Sequence, residues 1–107
     1  DKMYQLAPHI LQLACGDSGD VTHFSEFIDK NVSLYHLRHG IPLSPKAAAN
    51  FTRGELARML RSRSAKQVNL LQSGFDVKKN TPHLYWMDHL SAMADVKFGA
   101  HGYGAYF

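Results

Sequence analysis

The sequence predicts an α+β fold, and three observations carry that prediction. Short apolar runs with strand character lie towards both ends, two helical patterns fill the middle, and glycine or proline marks each changeover. At 107 residues the chain makes one domain or part of one. A chain of this size buries roughly 60–68% of its unfolded surface, enough for a single core. With 45% hydrophobic and 20% charged residues and no low-complexity tract, the composition is that of a folded domain and not of a disordered segment.

The organising stretch is Ile10–Cys15 followed by Gly16-Asp17-Ser18-Gly19-Asp20. The first part is short, mostly apolar and bounded by a turn signal, so it reads as a buried strand. The second can end a strand and start a helix, with Asp17, Ser18 or Asp20 as the N-cap. Two uses are open for it. It is a strand-to-helix connection, or it is a site at a strand end with the Gly16 amide as an oxyanion donor. Upstream, Lys2–Leu6 reads as a strand and Ala7-Pro8-His9 as the turn out of it, because Pro8 cannot donate to a ladder.

From Asp20 to Arg38 the pattern is helical. Val21, Phe24, Phe27, Ile28, Val32, Leu34, Tyr35 and Leu37 make a face broad enough to predict burial on two sides. Gly40 follows as a left-handed C-cap. After the link Ile41-Pro42-Leu43, Ser44 is an N-cap and Pro45 the first helical residue of a helix reaching Ser62. Its small residues, Ala47, Ala48 and Ala49, predict an antiparallel helix pair. Then come a strand at Gln67–Phe75, a polar connection at Asp76–Pro82, and an aromatic strand at His83–Leu90. Alternation puts Leu84, Trp86 and Leu90 on one side and Tyr85, Met87 and His89 on the other, so this hairpin is apolar on both faces. Ser91–Phe98 is poorly patterned, and Gly99–Phe107 is a glycine-rich turn matching no phosphate-binding loop.

Charge is uneven. Residues 36–66 hold seven Lys/Arg (Arg38, Lys46, Arg53, Arg58, Arg61, Arg63, Lys66) against Glu55, while residues 1–35 are net acidic. Such asymmetry suits an acidic partner, but Arg61-Ser62-Arg63-Ser64 is too short and lacks an aromatic platform, so nucleic acid is not expected. His36 and His39 share a helical spacing without a third ligand, so no metal is expected. Asp88 and His89, as strand neighbours, point to opposite faces and make no dyad. Cys15, alone in the chain, forms no internal disulfide and fits a reducing compartment; as a strand residue with nothing beside it to lower its pKa, it is core and not a nucleophile. No apolar run nears the ~20 residues a membrane span needs, and no stretch has the pattern of a signal peptide.

Ordered blocks through the whole chain resemble the proteasome beta subunits. They are Asp1-Lys2-Met3, Gly16 through Asp20, Lys30-Asn31-Val32, Leu43-Ser44-Pro45 leading to Ala47-Ala48-Ala49-Asn50-Phe51-Thr52-Arg53, and Leu60-Arg61-Ser62-Arg63. Further on come Val68-Asn69-Leu70-Leu71, Gly74-Phe75-Asp76, Tyr85 with Met87-Asp88, and Ala100-His101-Gly102-Tyr103-Gly104-Ala105. The likeness points to the fourth position of the beta ring. It implies an N-terminal-nucleophile hydrolase fold, a four-layer α-β-β-α sandwich. Residues 1–107 would be an internal part of it, missing N-terminal strands and C-terminal elements.

Active members of that family use an N-terminal threonine whose own amine is the base, with an aspartate, a lysine and a backbone oxyanion donor. The resemblance puts the lysine at Lys2 and the oxyanion glycine at Gly16. Tyr103 replaces the serine of the later Gly-Ser-Gly turn. Thr22, Thr52 and Thr81 lie inside the chain, where a hydroxyl has no alpha-amine to take its proton. The expectation is therefore a non-catalytic beta subunit of the 20S core, with Lys2, Gly16 and Tyr103 vestigial and no cofactor. Its partners would be other beta subunits within and across the rings and the alpha ring, with no nucleic acid and no membrane. It would support ATP- and ubiquitin-dependent proteolysis by assembly, in cytoplasm and nucleus. The alternative is an active threonine-type endopeptidase subunit whose N-terminal threonine lies outside residues 1–107.

Overall fold

The computed structural model describes residues 2–61 and 67–106. The chain runs β1 (Met3–Ala7), β2 (Ile10–Gly16), α1 (Ser18–His39), α2 (Pro45–Leu60), β3 (Val68–Asp76), β4 (Thr81–Met87) and β5 (Met93–Asp95), then a short 3-10 helix, Gly102–Tyr106. The strands form one sheet in the order β1-β2-β3-β4-β5, and every neighbouring pair is antiparallel. α1 lies over β1 and β2, and α2 over β3 and β4, so both helices cover one face.

The caps fall where local chemistry puts them. Asp17 is the N-cap of α1, its Oδ1 accepting from the Asp20 amide at 3.0 Å. Gly40 closes α1 at φ 71° and donates to the His36 carbonyl. Ser44 caps α2 through its hydroxyl, 3.2 Å from the Ala47 amide, with Pro45 at the first helical position. α2 ends at Leu60 with Arg61 as its C-cap, short of the expected extension, of which Ser62 lies outside the described residues.

Burial follows the strand period. Ile10, Gln12 and Ala14 of β2, Val68, Leu70 and Gln72 of β3, and Tyr85 and Met87 of β4 are buried beneath the helices. Above them sit Val21, Phe24, Ile28 and Val32 from α1 and Ala48, Ala49 and Leu56 from α2. Among the described residues the sheet covers one side of α1, and on its other side Phe27, Leu34 and Tyr35 are half-buried and Leu37 is 78% exposed. The helices run antiparallel, α1 leaving the Gly16 end of the sheet and α2 starting beside Gly74 at the other.

Two polar devices hold this arrangement. In the core, the side-chain amides of Gln12 and Gln72 meet at 3.1 Å. Thr52 Oγ1 lies 3.1 Å from Gln72 Oε1 and 2.9 Å from the Ala48 carbonyl. At the β1–β2 turn, His9 Nε2–H donates to the Leu43 carbonyl (2.7 Å) while its own carbonyl accepts from the Phe75 amide. His9, expected as a simple turn residue, thus ties the turn, the interhelix link and the end of β3 together.

The C-terminal third departs from the sequence prediction. The aromatic strand ends at Met87, not Leu90. Asp88 Oδ1 accepts from the amides of Leu90 and Ala92, bending the chain into a turn that returns as β5. Three residues of β5 are too few for a periodic signal, which is why that region looked unpatterned. Pro82 lies in β4, opposite Phe75, where β5 no longer pairs and no second partner needs its missing N–H.

The described residues thus form two layers, helices over sheet. The second sheet face carries Leu11, Leu13, Leu71, Leu84 and Trp86, all exposed or half-buried. The segment after β5 crosses part of it. The backbone at Gly99 passes over Leu71 and Trp86, and the His101 ring stacks on Trp86 with centroids 4.9 Å apart.

Thr52→Val removes the hydroxyl between α2 and Gln72 and leaves Gln72 Oε1 with Gln12 alone as its partner. Urea unfolding of the intact protein should show a loss of about 0.5–1.5 kcal/mol with an unchanged m-value.

Candidate functional site

The three positions singled out in the sequence come together at one end of the sheet. Lys2 runs into β1, and its carbonyl accepts from the Ala14 amide at 2.9 Å; its side chain is exposed. Gly16 ends β2 two residues beyond Ala14, opposite Val68. Tyr103 lies in the 3-10 helix directly after Gly102, and a methyl added at Gly102 would stand 3.9 Å from Cys15 Sγ. The lysine, the strand-end glycine and the Gly102-Tyr103-Gly104 turn are therefore neighbours, though far apart in sequence.

Gly16 is required here for a local reason. Its φ is 136°, and an added Cβ would fall 2.0 Å from the Gln67 carbonyl oxygen. Gln67 is held there by two bonds: its carbonyl accepts from the Asp17 amide (3.1 Å), and its amide donates to Asp20 Oδ2 (3.0 Å). The connection and the close approach are the same feature.

The threonine hydroxyls stand elsewhere. Thr22 is exposed on α1, and Thr52 is bonded within the core. Thr81 Oγ1 lies 3.1 Å from His83 Nε2, and His83 Nδ1 lies 3.7 Å from Asp95 Oδ2. The order hydroxyl, imidazole, carboxylate has the sequence of a catalytic triad. The last gap exceeds hydrogen-bond range, however, and Thr81 and Asp95 are open to water. It is a surface clasp between β4 and β5.

The remaining candidates resolve into structure. Asp88 braces its turn through its carboxylate, and the His89 backbone amide donates to Asn69 Oδ1. His36 and His39 are exposed at the end of α1, the latter 4.5 Å from the Tyr35 ring. Among the described residues no group of three His, Cys, Asp or Glu could hold a metal, and no helix is long and apolar enough to cross a membrane. Cys15 is half-buried. Within the basic span, Arg53 Nε donates to the Ser91 carbonyl and Arg58 pairs with Glu55 at 2.7 Å. Arg63 and Lys66 lie outside the described residues.

At the opposite end from Gly16, an apolar cavity of about 840 Å³ opens between the last turns of α1, the interhelix link and the β3–β4 turn. Leu37, Ile41 and Val77 on its border are all more than half exposed. The sequence analysis missed it, since it exists only where three separate connections converge. It also missed Gln12, Gln72 and Thr52. For the two glutamines the signal was a polar residue at an inward strand position, and for Thr52 a hydroxyl on the apolar face of α2.

The family model described as Proteasome subunit matches residues 1–107. The chain is 45% identical over 107 residues to a protein named proteasome subunit beta type-4 from Saccharomyces cerevisiae, covering 100% of this chain and 54% of that one. It is 50% identical over 107 residues to proteasome subunit beta type-2-B of Arabidopsis thaliana (100% and 53%). With proteasome subunit beta type-2 of Dictyostelium discoideum the identity is 43% over 109 residues (100% and 54%). The chain spans about half the length of the curated relatives it matches.

Gly16→Ala forces Cβ into the carbonyl of Gln67, a residue whose backbone is fixed by two hydrogen bonds. Chemical denaturation should register a loss of about 2 kcal/mol or more. A second outcome concerns pH. Burial pushes the Tyr85 hydroxyl above its ordinary pKa of 10.0, and the Asp95 and Asp76 carboxylates push the same way. Above pH 10.0 the unfolded chain therefore ionises first, and stability falls until the pH passes the folded-state pKa. Tyr85→Phe should flatten this alkaline loss in a pH series of thermal melts and leave the pH dependence at lower pH unchanged.

Proposed function

The chain belongs to the proteasome subunit family, and from that premise we propose that it is the central part of a non-catalytic beta subunit of the 20S core. Its contribution is shape: surfaces that pack against neighbouring beta subunits, against the alpha ring and across to the second beta ring. In this role it supports ATP- and ubiquitin-dependent protein degradation in cytoplasm and nucleus, at the fourth position of the beta ring.

The observation that carries the proposal is the end of the sheet where Lys2, Gly16 and the Gly102–Gly104 turn meet. It keeps the lysine and the strand-end glycine that the resemblance assigns to catalysis, but Tyr103 occupies the place of the serine. The described hydroxyls of Thr22, Thr52 and Thr81 are on a helix, in the core and on the far strands. The apolar side chains of Leu11, Leu13, Leu71, Leu84 and Trp86 favour a second sheet packed on the uncovered face, completing the four-layer sandwich. The relatives are about twice as long, which leaves enough chain in a protein of their length to build it.

The same juxtaposition is what favours the second possibility, an active threonine-type endopeptidase. Two measurements separate them. Native mass spectrometry of the full-length protein with its partner subunits should find it in a stacked-ring assembly, and its exclusion from such rings overturns the proposal. Treatment of that assembly with an electrophile selective for N-terminal threonine should leave this subunit unlabelled. An adduct on it would keep the ring membership and make the subunit catalytic.

A further inference from the structure

Among the described residues, three polar atoms in the helix–sheet interface meet no protein donor or acceptor: Gln12 Oε1, Gln72 Nε2 and Ser25 Oγ. All three residues are buried, Gln12 and Ser25 at 0% exposure. Buried polar groups in folded proteins are almost always paired, with protein or with an ordered water.

The three atoms come from elements that face one another. Gln12 and Gln72 are register partners on β2 and β3, joined through one atom of each amide, so their second polar atoms lie beside that bond. Ser25 belongs to the buried arc of α1 formed by Val21, Phe24, Ile28 and Val32, which packs on β1 and β2. Its level matches as well. Measured from the β2–α1 junction, Ser25 stands about 10 Å along the helix axis. Gln12 stands about 13 Å back along the strand from the same junction.

We propose that one buried water molecule bridges Ser25 Oγ, Gln12 Oε1 and Gln72 Nε2. The set is chemically matched to water, since Gln12 Oε1 needs a donor, Gln72 Nε2 needs an acceptor and a serine hydroxyl accepts either role. Gln72 then becomes the hub of both helices. Thr52 ties it to α2 directly, and the water ties it to α1. This holds whether or not the subunit is catalytic.

The test is a crystal structure of the full-length protein in its assembly, at a resolution that shows ordered water. The expected result is one isolated density peak within hydrogen-bond distance of Ser25 Oγ and of both amide side chains. The overturning result is no peak, with the Ser25 hydroxyl turned onto the Val21 carbonyl one helical turn back, as Thr52 bonds that of Ala48. Ser25→Ala in the same crystals adds a second readout. Loss or clear weakening of the peak supports the bridge, and an unchanged peak overturns the part given to Ser25. Should that variant not assemble, the peak in the unaltered protein decides.

Discussion

The packing of the Gln67 carbonyl against the bare α-carbon of Gly16 sets the geometry on which the rest of the chain depends. At that point β2 ends, α1 begins and β3 is about to start. The Asp17 amide and the Asp20 carboxylate both bond the backbone of Gln67, so the start of the helix and the start of the strand are fixed by one local network. Any side chain on Gly16 would part them. The direction in which α1 crosses the sheet follows from this junction. At the other end His9 performs the matching task, bonding the interhelix link and the end of β3 from a single turn residue.

Between these pinned ends the helices are held by apolar burial with a polar centre. Leu70, Met87, Phe24 and Ile28 supply the non-directional part of the stabilisation. Gln12, Gln72 and Thr52 add directional contacts, so sliding α2 by one turn would leave Gln72 without the Thr52 hydroxyl. Among the described residues, the second face of the sheet is apolar and partly open, and the segment from Gly99 to His101 covers part of it.

Chemistry and shape are separated along the same sheet. One end gathers Lys2, Gly16 and the Gly102-Tyr103-Gly104 turn, the positions that the proposed function treats as vestigial. The opposite end carries the apolar cavity and exposed Leu37, Ile41 and Val77. A subunit surrounded by others needs the second kind of surface whether or not it retains the first.

The sequence by itself determined whatever depends on near neighbours. The Asp17 and Ser44 caps, the Gly40 stop, the two helices, the first three strands and the inward and outward sides of the aromatic strand are all set by chemistry within a few residues. Where the structure differs, the deciding partner is distant in the chain. The aromatic strand stops at Met87 because Asp88 finds amides to bond in the following loop, and β5 exists only because β4 is there to pair with it. The breadth of the α1 face could be read from periodicity, but which part of it is covered depends on the sheet beneath. Gly16 shows both levels in one residue. Its glycine at a strand end was legible as a turn, while the carbonyl that forbids a side chain there belongs to Gln67, brought close only by folding.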